Sequence, residues 1–221
     1  MTLSQKQITK LTCAMEEYSF PPIYFDFINN VASRAERMTD LETMIKQELT
    51  SNNLKRVKDG LSNVLYWGYA QMGIRDTRVN RFRSNVDTNK IAKAASLFCR
   101  CHLPSLSEIK TIGLPEFSGV SFVSKIRMFL DPSNSATLDF QILKMQNFRP
   151  TPVLSQIQIQ QTQIPITRHN SDVYEEWCNR MKSIGRQYFG ERCRAVDIER
   201  GLFHLIQSNE IEAAANILGD A

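Results

Sequence analysis

The turn Gly119-Val120-Ser121 lies between two apolar stretches that read as helices. Backbone N–H groups at such a turn and helix start converge on one point, and the helix dipole favours an anion there, so the turn is a natural seat for phosphate. A seat of this kind holds a nucleic-acid backbone without reading its sequence. Further along, Leu138-Asp139 ends an apolar entry and precedes an amphipathic stretch, which makes Asp139 the expected N-cap of a helix and fixes a carboxylate at its start. Upstream, Arg75-x-x-Arg78-x-x-Arg81-x-Arg83 concentrates four guanidinium groups. As a helix it places Arg75, Arg78 and Arg81 on one face; as a loop it is a flexible phosphate clamp. Within Tyr66-Trp67-Gly68-Tyr69, either Trp67 or Tyr69 offers a flat wall on which a base can stack, although aromatic rings on an apolar helix face are core more often than pocket. Cys99-x-Cys101-His102 has metal-binding residue types, but no second ligand pair stands at zinc-like spacing, so no metal is expected. His169 and His204 have no partner discernible from the sequence, whereas Trp177 and Cys178 read as core.

The elements that must position these groups are mostly helical. After the breaker Pro21-Pro22, residues 26–37 carry apolar side chains at helical spacing behind Asp26. Thr39 to Leu49 reads as a second helix and Leu54 to Met72 as a third, with Leu54, Val57, Leu61, Val64, Leu65 and Gly68 in one stripe. Lys90 to Cys99 continues in the same style, and Ser105-x-x-Glu108 is a capping box. A helix ends near Thr111-Ile112-Gly113, and Asp131-Pro132 ends the one opened by the glycine turn. Asp172-x-x-Glu175 is expected to open a helix that runs to Phe189 and closes at Gly190, and Asp197 to cap the last substantial helix. Residues 149–170 break the pattern with three prolines and the alternation Ser155-Gln156-Ile157-Gln158-Ile159-Gln160, which predicts a hairpin, an extended arm or a loop. This insertion divides a main body, with its hairpin region at about 105–145, from C-terminal helices at 172–218, all within a single 1–221 unit.

Charge and composition narrow the function. The chain has 221 residues, 42% hydrophobic and 23% charged, enough for a real core. No run of eighteen apolar residues suggests a membrane span, and the first residues do not read as a secretory signal. Five cysteines at scattered spacing fit free thiols in a reducing cytoplasm. The net charge of +4 conceals an asymmetry. Residues 54–101 hold ten basic side chains against three aspartates, a net +7, which leaves −3 for the rest of the chain. A basic segment on an otherwise mildly acidic protein suits one face docking on a polyanion, or else a solvated surface balanced by acids from elsewhere.

The run Leu114-Pro115, then Gly119-Val120-Ser121, an apolar helix containing Ser124, a loop, and Leu138-Asp139 before another helix resembles the helix-hairpin-helix DNA glycosylase superfamily, closest to bacterial relatives of the 8-oxoguanine glycosylases. The resemblance covers about residues 54–145, and only the stretch from hairpin to aspartate is motif-like. It implies a mainly α, two-lobed helical bundle and a catalytic carboxylate, carried here by Asp139, that assists cleavage of the N-glycosidic bond. A carboxylate so placed can stabilise an oxocarbenium-like sugar and orient or deprotonate water. The sequence departs from the family pattern at Ser121, where a second glycine is usual. It departs again at Phe122 or Val123, where bifunctional members carry a lysine nucleophile; Lys125 arrives two or three residues late and serves a Schiff base or a phosphate contact. The cysteine cluster that holds iron and sulfur in some members is absent.

The combined expectation is a DNA N-glycosylase that extrudes a modified base from duplex DNA and hydrolyses its glycosidic bond, in base-excision repair or in defence against modified phage DNA. The candidate substrates are 8-oxoguanine and a modified cytosine such as glucosylated hydroxymethylcytosine. Asp139 and Lys125 are the catalytic candidates, and Gly119, Ser121, Arg75, Arg78, Arg81, Arg83 and Arg127 the DNA contacts. Trp67 and Tyr69 are assigned to the base pocket. Double-stranded DNA is the expected partner, with no cofactor, no membrane and no obligate protein partner. The alternative from another class is a non-catalytic DNA-binding module using the hairpin and basic face.

Overall fold

Short polar side chains decide where most of the helices begin. Ser4 caps the first through a reciprocal box, its hydroxyl accepting from the Gln7 amide while Gln7 Oε1 accepts from the Ser4 N–H. The computed structural model describes residues 2–221. In chain order it contains α1 (Gln5–Glu16), β1 (Ile23–Asp26), β2 (Val31–Arg34), α2 (Met38–Leu49), α3 (Leu54–Gly68), α4 (Arg75–Asn85), α5 (Thr88–Phe98), α6 (Leu106–Thr111) and α7 (Val120–Leu130). Then follow α8 (Phe140–Leu143), α9 (Arg168–Phe189), α10 (Ala195–Gln207) and α11 (Ile211–Asp220), with 3₁₀ turns at Lys144–Asn147 and Leu154–Gln156. The fold is mainly α, as expected, with one two-stranded sheet among the described residues. No helix there is long and apolar enough to cross a membrane. Two compact units are formed, one from Phe20–Asp131 and one from residues 2–19 with 132–221. The boundaries therefore fall at 19/20 and 131/132, not at the glutamine-rich insertion.

In the unit Phe20–Asp131, residues 26–37 are not a helix. Strands β1 and β2 pair antiparallel, with Ile23 opposite Arg34 and Asp26 opposite Val31. The Asp26 carboxylate accepts from the backbone N–H of Ile28 (2.9 Å) and Asn29 (3.0 Å) and from the Asn29 side-chain amide (2.7 Å), folding residues 27–30 into a turn. Asn30 completes it at φ +54°, a left-handed conformation that asparagine tolerates. Helix α3 is the centre of this unit: Val57, Leu61, Val64 and Leu65 are fully buried along the expected stripe. It ends at Gly68, short of Met72. Gly60 lets α2 approach, because a Cβ there would lie 2.8 Å from Glu48 Cβ and 3.0 Å from the Leu49 amide nitrogen. Asn63, also on α3, accepts from the Phe25 N–H at 2.8 Å and donates to Glu48 Oε2 at 3.1 Å, tying hairpin, α2 and α3 together.

In the other unit, α1 lies on α10 across Gly201, whose missing side chain leaves room for Leu11 and Met15. Helix α9 begins before Asp172: Thr167 is its cap, accepting from the Asn170 N–H at 3.1 Å, and Gly190 at φ +87° closes it as expected. Asp197 is not a cap either. It sits in the first turn of α10, accepts from the Arg194 N–H at 3.0 Å and pairs with the Arg194 guanidinium, while Arg194 holds the cap position. The stretch 149–170 resolves into a 3₁₀ turn and a tight bridge between Gln160 and Gln163. Buried Asn170 takes the place of a partner strand, accepting from the Gln158 N–H and donating to the carbonyls of Gln158 and Pro165.

Candidate nucleic-acid interface and the Asp139 carboxylate

The helix–turn–helix over residues 105–130 is built from its caps outward. The Ser105 hydroxyl accepts from the Glu108 N–H at 3.2 Å and Glu108 Oε2 accepts from the Ser105 N–H at 2.8 Å, which starts α6. Gly113 at φ +69° turns the chain away after Thr111, and Phe117 donates its N–H to the Leu114 carbonyl. Gly119 is then the N-cap of α7 in extended conformation and supplies no side-chain cap. Val120, Val123 and Ile126 anchor α7 in the core. Ser121 lies in the first turn, where its carbonyl accepts from Lys125 Nζ at 3.0 Å and from the Ser124 hydroxyl at 3.2 Å.

The arginine run is helical, and it is not a free clamp. Arg78 and Arg81 both reach the buried Glu116 carboxylate, at 3.0 and 3.2 Å, joining α4 to the hairpin loop. Arg83 donates to Asp59 at 2.7 Å and to the Ser62 hydroxyl at 3.0 Å, and its guanidinium lies 3.8 Å from the centre of the Phe27 ring. Arg75 lies over Tyr66 and pairs with Asp76. All four therefore have a carboxylate within hydrogen-bond reach, which diminishes the charge each presents outward. Arg127 is buried in α7 rather than presented on a surface. Lys55, Arg56 and Lys93 are exposed and, among the described residues, have no carboxylate within 4 Å. The basic window pointed to them only as a group.

Trp67 belongs to the core. It is buried edge-on between Phe20 and Phe129, each ring 5.1 Å away, and its indole N–H has no hydrogen-bond partner. It is thus closed off as a pocket wall. Tyr69, just past the end of α3, is only partly buried and stacks at 4.4 Å on Phe122. Gly68 makes this possible, since a Cβ there would lie 2.6 Å from Phe122 Cε1 and 3.2 Å from Lys125 Cδ. Tyr69, Phe122 and Lys125 are therefore brought together, with the Lys125 ammonium 5.2 Å from the Phe122 ring centre.

In the unit comprising 2–19 and 132–221, Asp139 does cap α8. Its Oδ1 accepts from the N–H groups of Gln141 (2.9 Å) and Ile142 (3.4 Å). The helix is a single turn that continues as the 3₁₀ turn Lys144–Asn147, shorter than the amphipathic helix expected. The approach to Asp139 is held by side chains of α9 and α10. The Tyr174 hydroxyl donates to the Ala136 carbonyl at 3.0 Å and the Trp177 indole N–H to the Thr137 carbonyl at 2.9 Å. The Thr137 hydroxyl donates to buried Glu199 at 2.6 Å. Tyr18 and Arg200 complete this charged group, the guanidinium lying 5.4 Å from the phenol ring centre. Burial pushes the Tyr18 phenol up; Arg200 opposes the shift, while Glu199 and, more weakly, Asp139 add to it.

No protein-family model, curated protein or solved structure matches the chain. The chemistry therefore rests on the side chains alone. Sequence reasoning missed Thr137, Tyr174, Glu199 and Arg200 as supports of Asp139. A charged run such as Asp197-x-Glu199-Arg200 ordinarily lies on a surface, yet Glu199 and Arg200 are buried. Among the described residues no three His, Cys, Asp or Glu side chains could share a metal ion. Cys99 donates to the Thr50 carbonyl, and His102 lies against Glu108. His169 meets the Gln156 carbonyl, and His204 lies near Glu17 and Ser208.

Proposed function

We propose that this protein is a DNA N-glycosylase whose Asp139 carboxylate assists hydrolysis of the bond between a modified base and its deoxyribose. The observation that carries the reading is the rigid mounting of Asp139: a helix cap at the end of a segment whose carbonyls are held by Tyr174 and Trp177 and whose Thr137 is held by Glu199. A carboxylate can stabilise developing positive charge on a sugar only if it is held in place before the reaction. In this scheme the C1′–N bond breaks, positive charge spreads over C1′ and the ring oxygen, and the carboxylate lies against it. Water adds to C1′ and gives up a proton, and the base leaves protonated, so that an abasic site and free base result.

Binding is assigned to the unit Phe20–Asp131, which has sixteen basic against eleven acidic residues, a net +5. The α7 turn at Gly119 offers N–H groups to phosphate, and Lys55, Arg56 and Lys93 offer exposed charge with no carboxylate within 4 Å among the described residues. Lys125 is committed to the Ser121 carbonyl one turn back, which supports water rather than this amine as the nucleophile. A second reading, a non-catalytic DNA-binding module, is favoured by one observation: the Asp139 cap bonds are what a purely structural aspartate makes. The deciding experiment incubates the protein with 8-oxoguanine duplexes and with phage DNA containing glucosylated hydroxymethylcytosine, and identifies any released base by mass spectrometry. Release of either base supports the glycosylase; salt-dependent binding with no released base supports the module.

A further inference from the structure

Ile28, at the tip of the β1–β2 hairpin, is 84% exposed, more than any other large apolar residue described. It is also held still. The Asp26 carboxylate binds the N–H of Ile28 itself, the N–H of Asn29 and the Asn29 side chain, and Asn30 fixes the return at φ +54°. Behind the tip, the Phe27 ring rests on Phe25 at 4.9 Å and beneath the Arg83 guanidinium at 3.8 Å. The base of the hairpin is fastened to α3 through Asn63 and Phe25. A branched apolar side chain thus projects into water from a braced turn, with polar Asn29 and Asn30 beside it in the chain and Val31, the next large apolar residue, itself 48% exposed.

The size of this patch argues against a protein partner: Ile28 and Val31 together expose on the order of 200 Å², against the roughly 800 Å² per partner of a stable protein interface. One apolar side chain of this volume on a rigid mount fits the gap between two partly unstacked base pairs, where Ile, Leu, Met and Phe act as wedges. Charge on the same unit agrees. It is net +5, and on β2 the exposed Arg34 has no carboxylate within 4 Å among the described residues. We infer that Ile28 is a wedge that enters a base step of duplex DNA, a role that rests on the DNA reading above.

The test uses the full chain and a duplex containing 2-aminopurine, whose fluorescence rises when it loses its stacked neighbours, with binding followed separately by anisotropy at low salt. The wild-type protein is expected to produce a several-fold rise in emission at saturation. Ile28→Ala is expected to bind roughly tenfold more weakly and, when saturated, to lose most of that rise, while Ile28→Leu restores it. Ile28 is 84% exposed, so the variants are expected to fold as the wild type does, and unchanged far-ultraviolet circular dichroism checks this. An equal rise from saturated Ile28→Ala overturns the wedge and leaves DNA binding intact. Absence of duplex binding by the wild type overturns the DNA reading, and the wedge with it.

Discussion

Replacing Glu48 by glutamine should make the protein more stable above neutral pH while leaving it unchanged in acid. Glu48 lies on α2, where its Oε2 accepts from Asn63 Nδ2 at 3.1 Å. Burial pushes its carboxyl from 4.5 up to about 7; the Asn63 bond and Arg56 oppose the shift, and Asp59 and Asp26 add to it. An acid whose affinity for protons is higher folded than unfolded weakens the fold as pH rises, since the native state must give up a proton that the unfolded chain has already lost. The penalty sets in near pH 4.5 and is complete above about 7. Raising the carboxyl from 4.5 to about 7 corresponds to about 3 kcal/mol. The glutamine of Glu48→Gln would keep an oxygen for the Asn63 amide and remove the charge. Urea unfolding of both proteins from pH 5 to pH 8 cancels every other titration in the difference. That difference should grow with pH to about 3 kcal/mol in favour of the variant. A difference that stays constant with pH, or a wild type that is the more stable at pH 8, refutes the reasoning.

Other consequences follow from close packing and shared charge. Gly60→Ala must displace Glu48 or the α2 backbone, and is expected to cost about 1–3 kcal/mol and lower the thermal midpoint. Gly73→Ala, where nothing lies within 4 Å, should change it little. Glu116→Gln removes the carboxylate shared by Arg78 and Arg81; we expect tighter duplex binding at low salt, with the dependence of log K on log salt steeper by about one to two. Stability should fall by about 1–3 kcal/mol, because a buried pair loses one partner. An unchanged salt slope would exclude these two arginines from the DNA contact.

The features legible in the sequence are those whose partners lie within a turn. The Ser105-x-x-Glu108 box, the Asp139 cap and the Gly190 stop each depend on backbone groups three or fewer residues away or on the glycine's own φ. Asp26 misleads because Phe27, Ile28 and Val31 also fit helical spacing. Ile23-Tyr24-Phe25 and the Asn29-Asn30 pair are strand and turn residues, and they prevail once Asn63 fastens β1 to α3. Asp172 and Asp197 show the limit of cap assignment, for Thr167 and Arg194 take the cap positions and Asp197 binds the cap from within the helix. Long-range pairings stayed hidden. Nothing in Arg78 or Arg83 announces Glu116 or Asp59, and the Glu199 and Trp177 clamps reach Thr137 from 62 and 40 residues away. Such contacts arise only from packing, which local pattern does not encode.

The central claim is that Asp139 performs chemistry as well as capping a helix. Asparagine is as good an N-cap as aspartate and keeps the oxygen that accepts from Gln141 and Ile142, so Asp139→Asn should fold normally. The direct measurement is the single-turnover rate at which abasic sites form in modified duplex DNA, compared between this variant and the wild type. Loss of the charge should slow the wild-type rate by roughly 10²- to 10⁴-fold while duplex binding is retained. Abasic sites formed equally fast by Asp139→Asn would contradict the account.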